Sequence, residues 1–172
     1  AHRLWRAAEL IREDQPEQAL GWMKVASATI DDLQFLDDFL VLARRVGDSS
    51  ILVDALSVVA GGLGIAGPSA IRRSGLMLEA GRIALSVLEE RERARACFED
   101  SLKSWPDNMD ALGELAALLE ASDDVAALAE VWRHELELSL PGPHRGRLAL
   151  RLARVFQGEL ADVDRARPYA LM

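Results

Sequence analysis

The sequence predicts an all-α solenoid of about five helical hairpins, and three observations carry that expectation. A helix-turn-helix pattern of apolar residues recurs about every 35 residues, and more faithfully about every 75. Small residues fall at matching places in the longer period: Ala8, Gly81 and Ala153 form one set, and Ala19, Ala94 and Ala166 another. Composition agrees, because 50% of the chain is apolar while only 5% is aromatic, with Ala and Leu, the strongest helix formers, abundant. A unit of this length cannot bury its apolar face alone, so it stacks on its neighbours.

The first hairpin spans about 2 to 29. Leu4, Ala7, Ala8 and Ile11 share one helical face, Asp14, Gln15 and Pro16 end the helix, and Pro16 also suits the first turn of the next, where Ala19, Leu20, Met23 and Ala26 make the second stripe. The second hairpin runs through Leu33, Leu36, Phe39, Leu40 and Ala43, turns at Gly47 and Asp48, and returns through Leu52, Ala55, Leu56 and Val59. Gly47 is placed as a C-cap. From Gly61 to Pro68 the pattern breaks into a glycine-rich stretch, expected to be a flexible joint. The third hairpin uses Leu78, Gly81, Ile83, Ala84 and Leu88, then Ala94, Phe98, Ser101 and Leu102, and stops at Trp105 and Pro106. The fourth sets Leu112, Leu115, Ala116 and Leu119 against Leu128, Val131, Trp132 and Leu136 across Ser122, Asp123 and Asp124. The fifth follows Pro141, Gly142 and Pro143, carries Leu150, Ala153, Val155 and Phe156, and turns near Asp162 into a truncated second helix.

Odd and even hairpins differ in their turns. The odd ones have longer charged connections, Glu13 to Glu17, Glu89 to Arg93 and Glu159 to Arg165, each leading to a small residue; the even ones have the shorter Gly47-Asp48 and Asp123-Asp124 turns. A two-hairpin module has been duplicated on this reading. The expected organisation is one continuous solenoid domain, with two hairpins in 1–60, a joint at 61–68 and three hairpins in 69–172.

Charge and cysteine content narrow the function. A net charge of −8 argues against a general nucleic-acid binder, which needs a clustered basic surface. The lone Cys97 has no intramolecular disulfide partner and reads as a small buried apolar residue. No apolar run approaches the roughly 20 residues of a membrane span and no secretory leader opens the chain, so a cytoplasmic protein without membrane contact is expected. The chain starts without Met and stops inside a helical pattern, and Arg far outnumbers Lys, of which only Lys24 and Lys103 occur. These point to a segment of a longer bacterial repeat protein.

The third hairpin resembles the tetratricopeptide repeat (TPR) family. Gly81 and Ala84 match the first helix of that pattern, and Ala94, Phe98, Ser101 and Pro106 match the small, aromatic, small and proline positions of its second. The fourth hairpin departs, with Leu128 at the small position and Trp132 at the aromatic one. What the resemblance implies is a right-handed α-α superhelix whose first helices line a concave groove that binds peptides or helices. Carried over position by position, it places Trp5, Arg12, Arg44, Arg45, Arg82, Arg147 and Arg154 on that groove. An acidic protein segment is then the implied partner, since Arg pairs bidentately with carboxylates. The alternative is that these arginines pair with neighbouring Glu and Asp. The family's carboxylate clamp is absent, because its places hold Trp5, Asp37, Leu78, Gly113 and Leu150.

Signals for chemistry are weak. Gly62, Gly64 and Gly67 satisfy GxGxxG after the apolar run Val53 to Ala60, but that run continues a helical spacing and Pro68 follows at once. His2, His134 and His144 share no ligand spacing with Cys97 or each other, and Glu130 with His134 is a one-turn helix pair. The pairs Asp31-Asp32, Asp37-Asp38 and Asp123-Asp124 are read as helix starts or turns. Of the tryptophans, Trp22, Trp105 and Trp132 are assigned to core stripes, and Trp5 to the groove or the end of the stack. The function expected is a noncatalytic, cofactor-free scaffold for protein association. The alternatives are a self-associating module, and an all-α nucleotide-binding enzyme using the Gly61–Gly67 loop.

Overall fold

Short polar side chains set where the helices of this chain begin. In a computed structural model, which describes residues 1–29, 32–158 and 161–171, the described residues form ten helices and no strand. These are α1 (His2–Ile11), α2 (Pro16–Ala26), α3 (Leu33–Val46), α4 (Ser49–Gly61), α5 (Gly67–Ser86), α6 (Arg91–Ser104), α7 (Met109–Glu120), α8 (Val125–Leu138), α9 (Pro143–Gln157) and α10 (Val163–Ala170). Asp32 accepts hydrogen bonds from the N–H groups of Gln34 and Phe35, and Asp48, Asn108, Asp124 and Asp162 do the same at the starts of α4, α7, α8 and α10. Each satisfies a donor that the first helical turn leaves without a partner. Proline opens α2, α5 and α9, where its missing N–H costs nothing. Gly47 closes α3 at φ 78°, the left-handed conformation that glycine adopts without strain.

The ten helices pair as the five expected hairpins: α1 with α2, α3 with α4, α5 with α6, α7 with α8, and α9 with α10. The chain divides into two compact units, Ala1–Pro106 and Asp107–Met172. In the first, each helix from α1 to α6 packs on its neighbours in the chain; in the second, α7 to α10 do likewise. This nearest-neighbour packing is that of a repeat protein. The division falls at Pro106, and the glycine-rich stretch lies inside the first unit, joining α4 to α5, which pack directly on each other.

Small residues make the hairpins tight. Ala8, Ala19 and Ala94 are completely buried, and Ala153 and Ala166 nearly so. Gly81 is the closest seam: a Cβ built there would lie 2.5 Å from Cε1 of Phe98, whose ring is fully buried. Beside it the Ser74 and Ser101 hydroxyls are hydrogen bonded at 2.8 Å, and Ser101 donates to the Ser74 carbonyl at 2.9 Å, so two buried polar groups of α5 and α6 satisfy each other. The first unit's core gathers Phe35, Leu36, Phe39, Val53, Leu56 and Val59, with the Phe35 and Phe39 rings stacked 6.3 Å apart. The second unit buries Leu112, Leu119, Trp132, Leu152 and Phe156, and Tyr169 stacks on Phe156 at 5.8 Å.

Three expectations change. Asp37 and Asp38 lie in the second turn of α3 instead of at its start; Asp32 alone supplies that cap. Helix α5 begins at Gly67, inside the 61–68 stretch expected to be a joint. Trp105, the residue following α6, remains 37% exposed and is not core. Asp31, and the Glu159 that starts the fifth charged turn, lie outside the described residues.

Candidate functional site

Within the first unit, the arginines of the first helices meet carboxylates of the neighbouring repeat. Arg45 of α3 grips Glu13 with both terminal nitrogens, at 2.7 and 2.8 Å, and Arg12 lies 3.9 Å from the same carboxylate. Arg44 donates to both oxygens of Glu79 on α5, at 2.7 and 3.0 Å. Arg72 of α5 donates back to Asp37 of α3. Hydrogen bonding from Arg45, reinforced by its charge, holds Glu13 below the ordinary carboxylate range. The same bond raises Arg45. A cavity of about 180 Å³ beside this pair is lined by Glu9, Arg12, Glu13, Asp38, Val41 and Arg45, a wall of mixed sign. Arg12, Arg44 and Arg45 are thus ion-paired within the protein.

Trp5 turns inward. Its ring meets Phe35 edge-on at 5.5 Å and 77°, and its Nε1 is buried without a hydrogen-bond partner. Half-buried against the first core, it covers the Phe35 and Phe39 stack from α1. Arg82 is exposed on α5, where its carbonyl accepts from Ser86 at 2.6 Å.

The second unit distributes its charge differently. Helix α9 carries Arg145, Arg147, Arg151 and Arg154, with His144 and no acidic residue. Arg145 turns back to donate to the carbonyls of Leu136 and Ser139, capping the end of α8. His144 is 2.9 Å from Glu135. Arg151 lies over the Trp132 ring at 5.3 Å. Arg147 and Arg154 are exposed and make no ion pair among the described residues, and Arg151 makes none beyond its ring contact. Nearby, Arg165 joins Glu130 and lies 4.5 Å over Phe156, and Arg133 bridges Glu130 to Glu137. Hydrogen bonds from Arg165 and then Arg133 lower the Glu130 carboxyl below its ordinary value.

Sequence reasoning missed Asp37, Arg72, Glu79 and Arg151. The first three carried a readable signal: Asp37–Arg72 and Arg44–Glu79 are each 35 residues apart, one repeat period, with opposite charge. Arg151 was readable as the fourth basic residue of a helix with no acid.

Other groups bear on chemistry. The glycines Gly62 and Gly64 connect two packed helices, so a helix stands where a dinucleotide fingerprint requires a strand. They border an open hollow of about 620 Å³ with Leu36, Val58 and Leu63. Cys97 is buried beside Met77, Arg73 and Arg93 in a cavity of about 270 Å³, and burial pushes its thiol up, away from thiolate chemistry. Arg93 pairs there with Asp54 and Glu90. His134 meets Glu137 at 3.8 Å. Among the described residues no group of three or more His, Cys, Asp or Glu could hold a metal ion, and no helix is long and apolar enough to cross a membrane.

No family model and no curated protein matches the chain. Solved structures are similar at low identity. One, from the functional characterization of Pseudomonas aeruginosa pilF, is 19% identical over 98% of this chain and 72% of that one, with a TM-score of 0.49. A crystal structure of MamA is 13% identical over 94% of this chain and 89% of that one, with a TM-score of 0.49. A putative kinesin light chain from Podosopora anserina, with nearly identical TPR-like repeats, is 16% identical over 98% of this chain and 94% of that one, with a TM-score of 0.48.

Proposed function

We propose that this chain is a noncatalytic helical-repeat scaffold that holds other proteins, as a segment of a longer bacterial and cytoplasmic repeat protein. The observation that supports it is repetition: five hairpins present the same kind of helix pair one after another. Repeated surfaces suit extended recognition, whereas catalysis needs one asymmetric constellation of groups. The binding surfaces we assign are the polar outer sides of the first helices, each unit by itself: in the second unit Arg147 and Arg154 are available for carboxylates, and in the first the surface carries Arg12, Arg44, Arg45 and Arg82 with Trp5 packed behind it. The experiment is in-cell cross-linking followed by mass spectrometry of the tagged chain. A reproducible partner cross-linked to α1, α3, α5, α7 or α9 supports a scaffold. Absence of any partner, together with a thermal shift on adding a nucleotide or a divalent metal, refutes it in favour of an enzyme. Mass that rises with concentration for the purified chain alone identifies the self-associating alternative.

A further inference from the structure

We infer that α9 is the docking face for an acidic amphipathic helix of a partner protein, gripped by Arg147, Arg151 and Arg154. This deepens the scaffold reading and rests on it. The three arginines stand at positions i, i+4 and i+7, so they form one stripe along the helix. Leu148, Ala149, Leu152, Ala153 and Phe156 are the buried residues of α9 and define its opposite, inward side. The stripe therefore points away from the unit's own core.

Charge is what identifies the occupant. The protein as a whole carries −8, yet α9 carries four arginines and no carboxylate. Several exposed arginines elsewhere are neutralised: Arg44 by Glu79, Arg45 by Glu13, Arg72 by Asp37, and Arg165 by Glu130. Arg147 and Arg154 have no such partner among the described residues. Arg151 is held in place by its stacking on Trp132, which leaves the planar guanidinium preorganised and lowers the entropy lost on binding. A shallow cavity of about 180 Å³ opens between His144, Arg147, Leu148 and Arg151.

Spacing selects a helix over an extended strand. Steps of three and four residues along α9 place the arginines about 4.5 to 6 Å apart along its axis. Glutamates at i, i+4 and i+7 of a second helix repeat that spacing, whereas same-side residues of a strand are about 6.6 to 6.8 Å apart. Leu150, 51% exposed and lying between Arg147 and Arg154 in sequence, offers the apolar contact that an amphipathic partner needs. Nucleic acid is disfavoured because the rest of the surface repels it at long range.

The test uses the full chain and three probes: a helical peptide with Glu at i, i+4, i+7 and i+11 beside a leucine stripe, a peptide of identical composition with the glutamates scattered around the helix, and duplex DNA. Binding is followed by fluorescence anisotropy at low and moderate salt. The striped peptide is expected to bind about tenfold or more tightly than the scattered one, and to weaken about tenfold or more when Arg147→Gln and Arg154→Gln are combined. Arg167→Gln is expected to bind like the unmodified chain, and circular dichroism verifies that each variant keeps its helices. Equal binding of both peptides, no effect of the double substitution, or tighter binding of DNA than of peptide overturns the inference. The scaffold reading fails separately: a cross-linked partner of the unmodified chain that the Arg147→Gln/Arg154→Gln protein retains keeps the scaffold and removes α9 as its face, while an unmodified chain that cross-links no partner at all removes the scaffold itself.

Discussion

Replacing Gly81 with Ala puts the packing of the first unit to a direct test. Gly81 lies inside α5, and a Cβ there would meet Phe98 at 2.5 Å to Cε1, 2.7 Å to Cδ1 and 3.1 Å to Cζ. Ordinary carbon contacts begin near 3.5 Å, and the Phe98 ring is fully buried, so it has nowhere to retreat. Overpacking of this kind costs about 1–3 kcal/mol. Against it stands the gain of about 1 kcal/mol from exchanging Gly for Ala within a helix. The net expectation is a loss of about 0–2 kcal/mol. Gly75, on the same helix with nothing within 4 Å of its Cβ position, isolates the second effect, and Gly75→Ala should stabilise by about 0.5–1 kcal/mol.

Urea denaturation followed by far-UV circular dichroism reads both variants, and a double-mutant cycle with Phe98→Leu isolates the contact. Phe98→Leu alone destabilises, because it removes buried ring volume. In that background Gly81→Ala should become neutral or stabilising, for a coupling of about 1–3 kcal/mol. If Gly81→Ala stabilises as much as Gly75→Ala, or if the coupling is zero, the small-residue seam between α5 and α6 does not have the role assigned to it.

Three further outcomes follow from single residues. Arg45 depresses the folded-state pKa of Glu13, so that pair contributes stability which is fully present above the ordinary carboxylate range and lost as pH falls through the lowered value; Glu13→Gln should therefore flatten the acid limb of the melting-temperature profile, and an unchanged limb refutes it. Gly47→Ala forces a side chain into φ 78° and should cost about 1 kcal/mol by urea titration, although nothing crowds the new methyl. Cys97 should react slowly with a thiol reagent in the folded protein and fast in urea, because burial raises its pKa and blocks access; equal rates in both states contradict the placement.

The hairpins were legible in the sequence because helical period, turn residues and small residues agree at each level. Ala94, Phe98 and Gly81 repeat at the right places, and their packing is local to one hairpin. Charges were less legible. Asp37-Asp38 looks like a helix start by composition, but a cap requires one residue in a non-helical conformation, and Asp32 already occupies it at φ −111°. Trp105 looks like core by its size, yet it follows the last turn of α6, where the chain leaves the helix. The partners of Arg44 and Arg72 depend on the register between neighbouring repeats, which no single helix encodes; the 35-residue separation reveals it only when opposite charges are compared one period apart.

That distribution of charge bears on recognition more than on stability. Arg44 and Glu79 have side chains 49% and 39% exposed, so their pair contributes about 0–1 kcal/mol after screening and lost side-chain entropy. Its larger effect is to cancel local potential. Along α3 and α5 each such pair removes a positive centre that would attract a carboxylate, and an acid arriving at Arg44 must first break a contact already made at 2.7 Å. On α9 no pair must be broken for Arg147 or Arg154. An acid arriving there gains a full charge-assisted contact, while the same acid at Arg44 gains only the difference between two equivalent contacts. Exposed arginines of the same residue type are therefore unequal ligands, and the inequality is set by which carboxylates lie one repeat away.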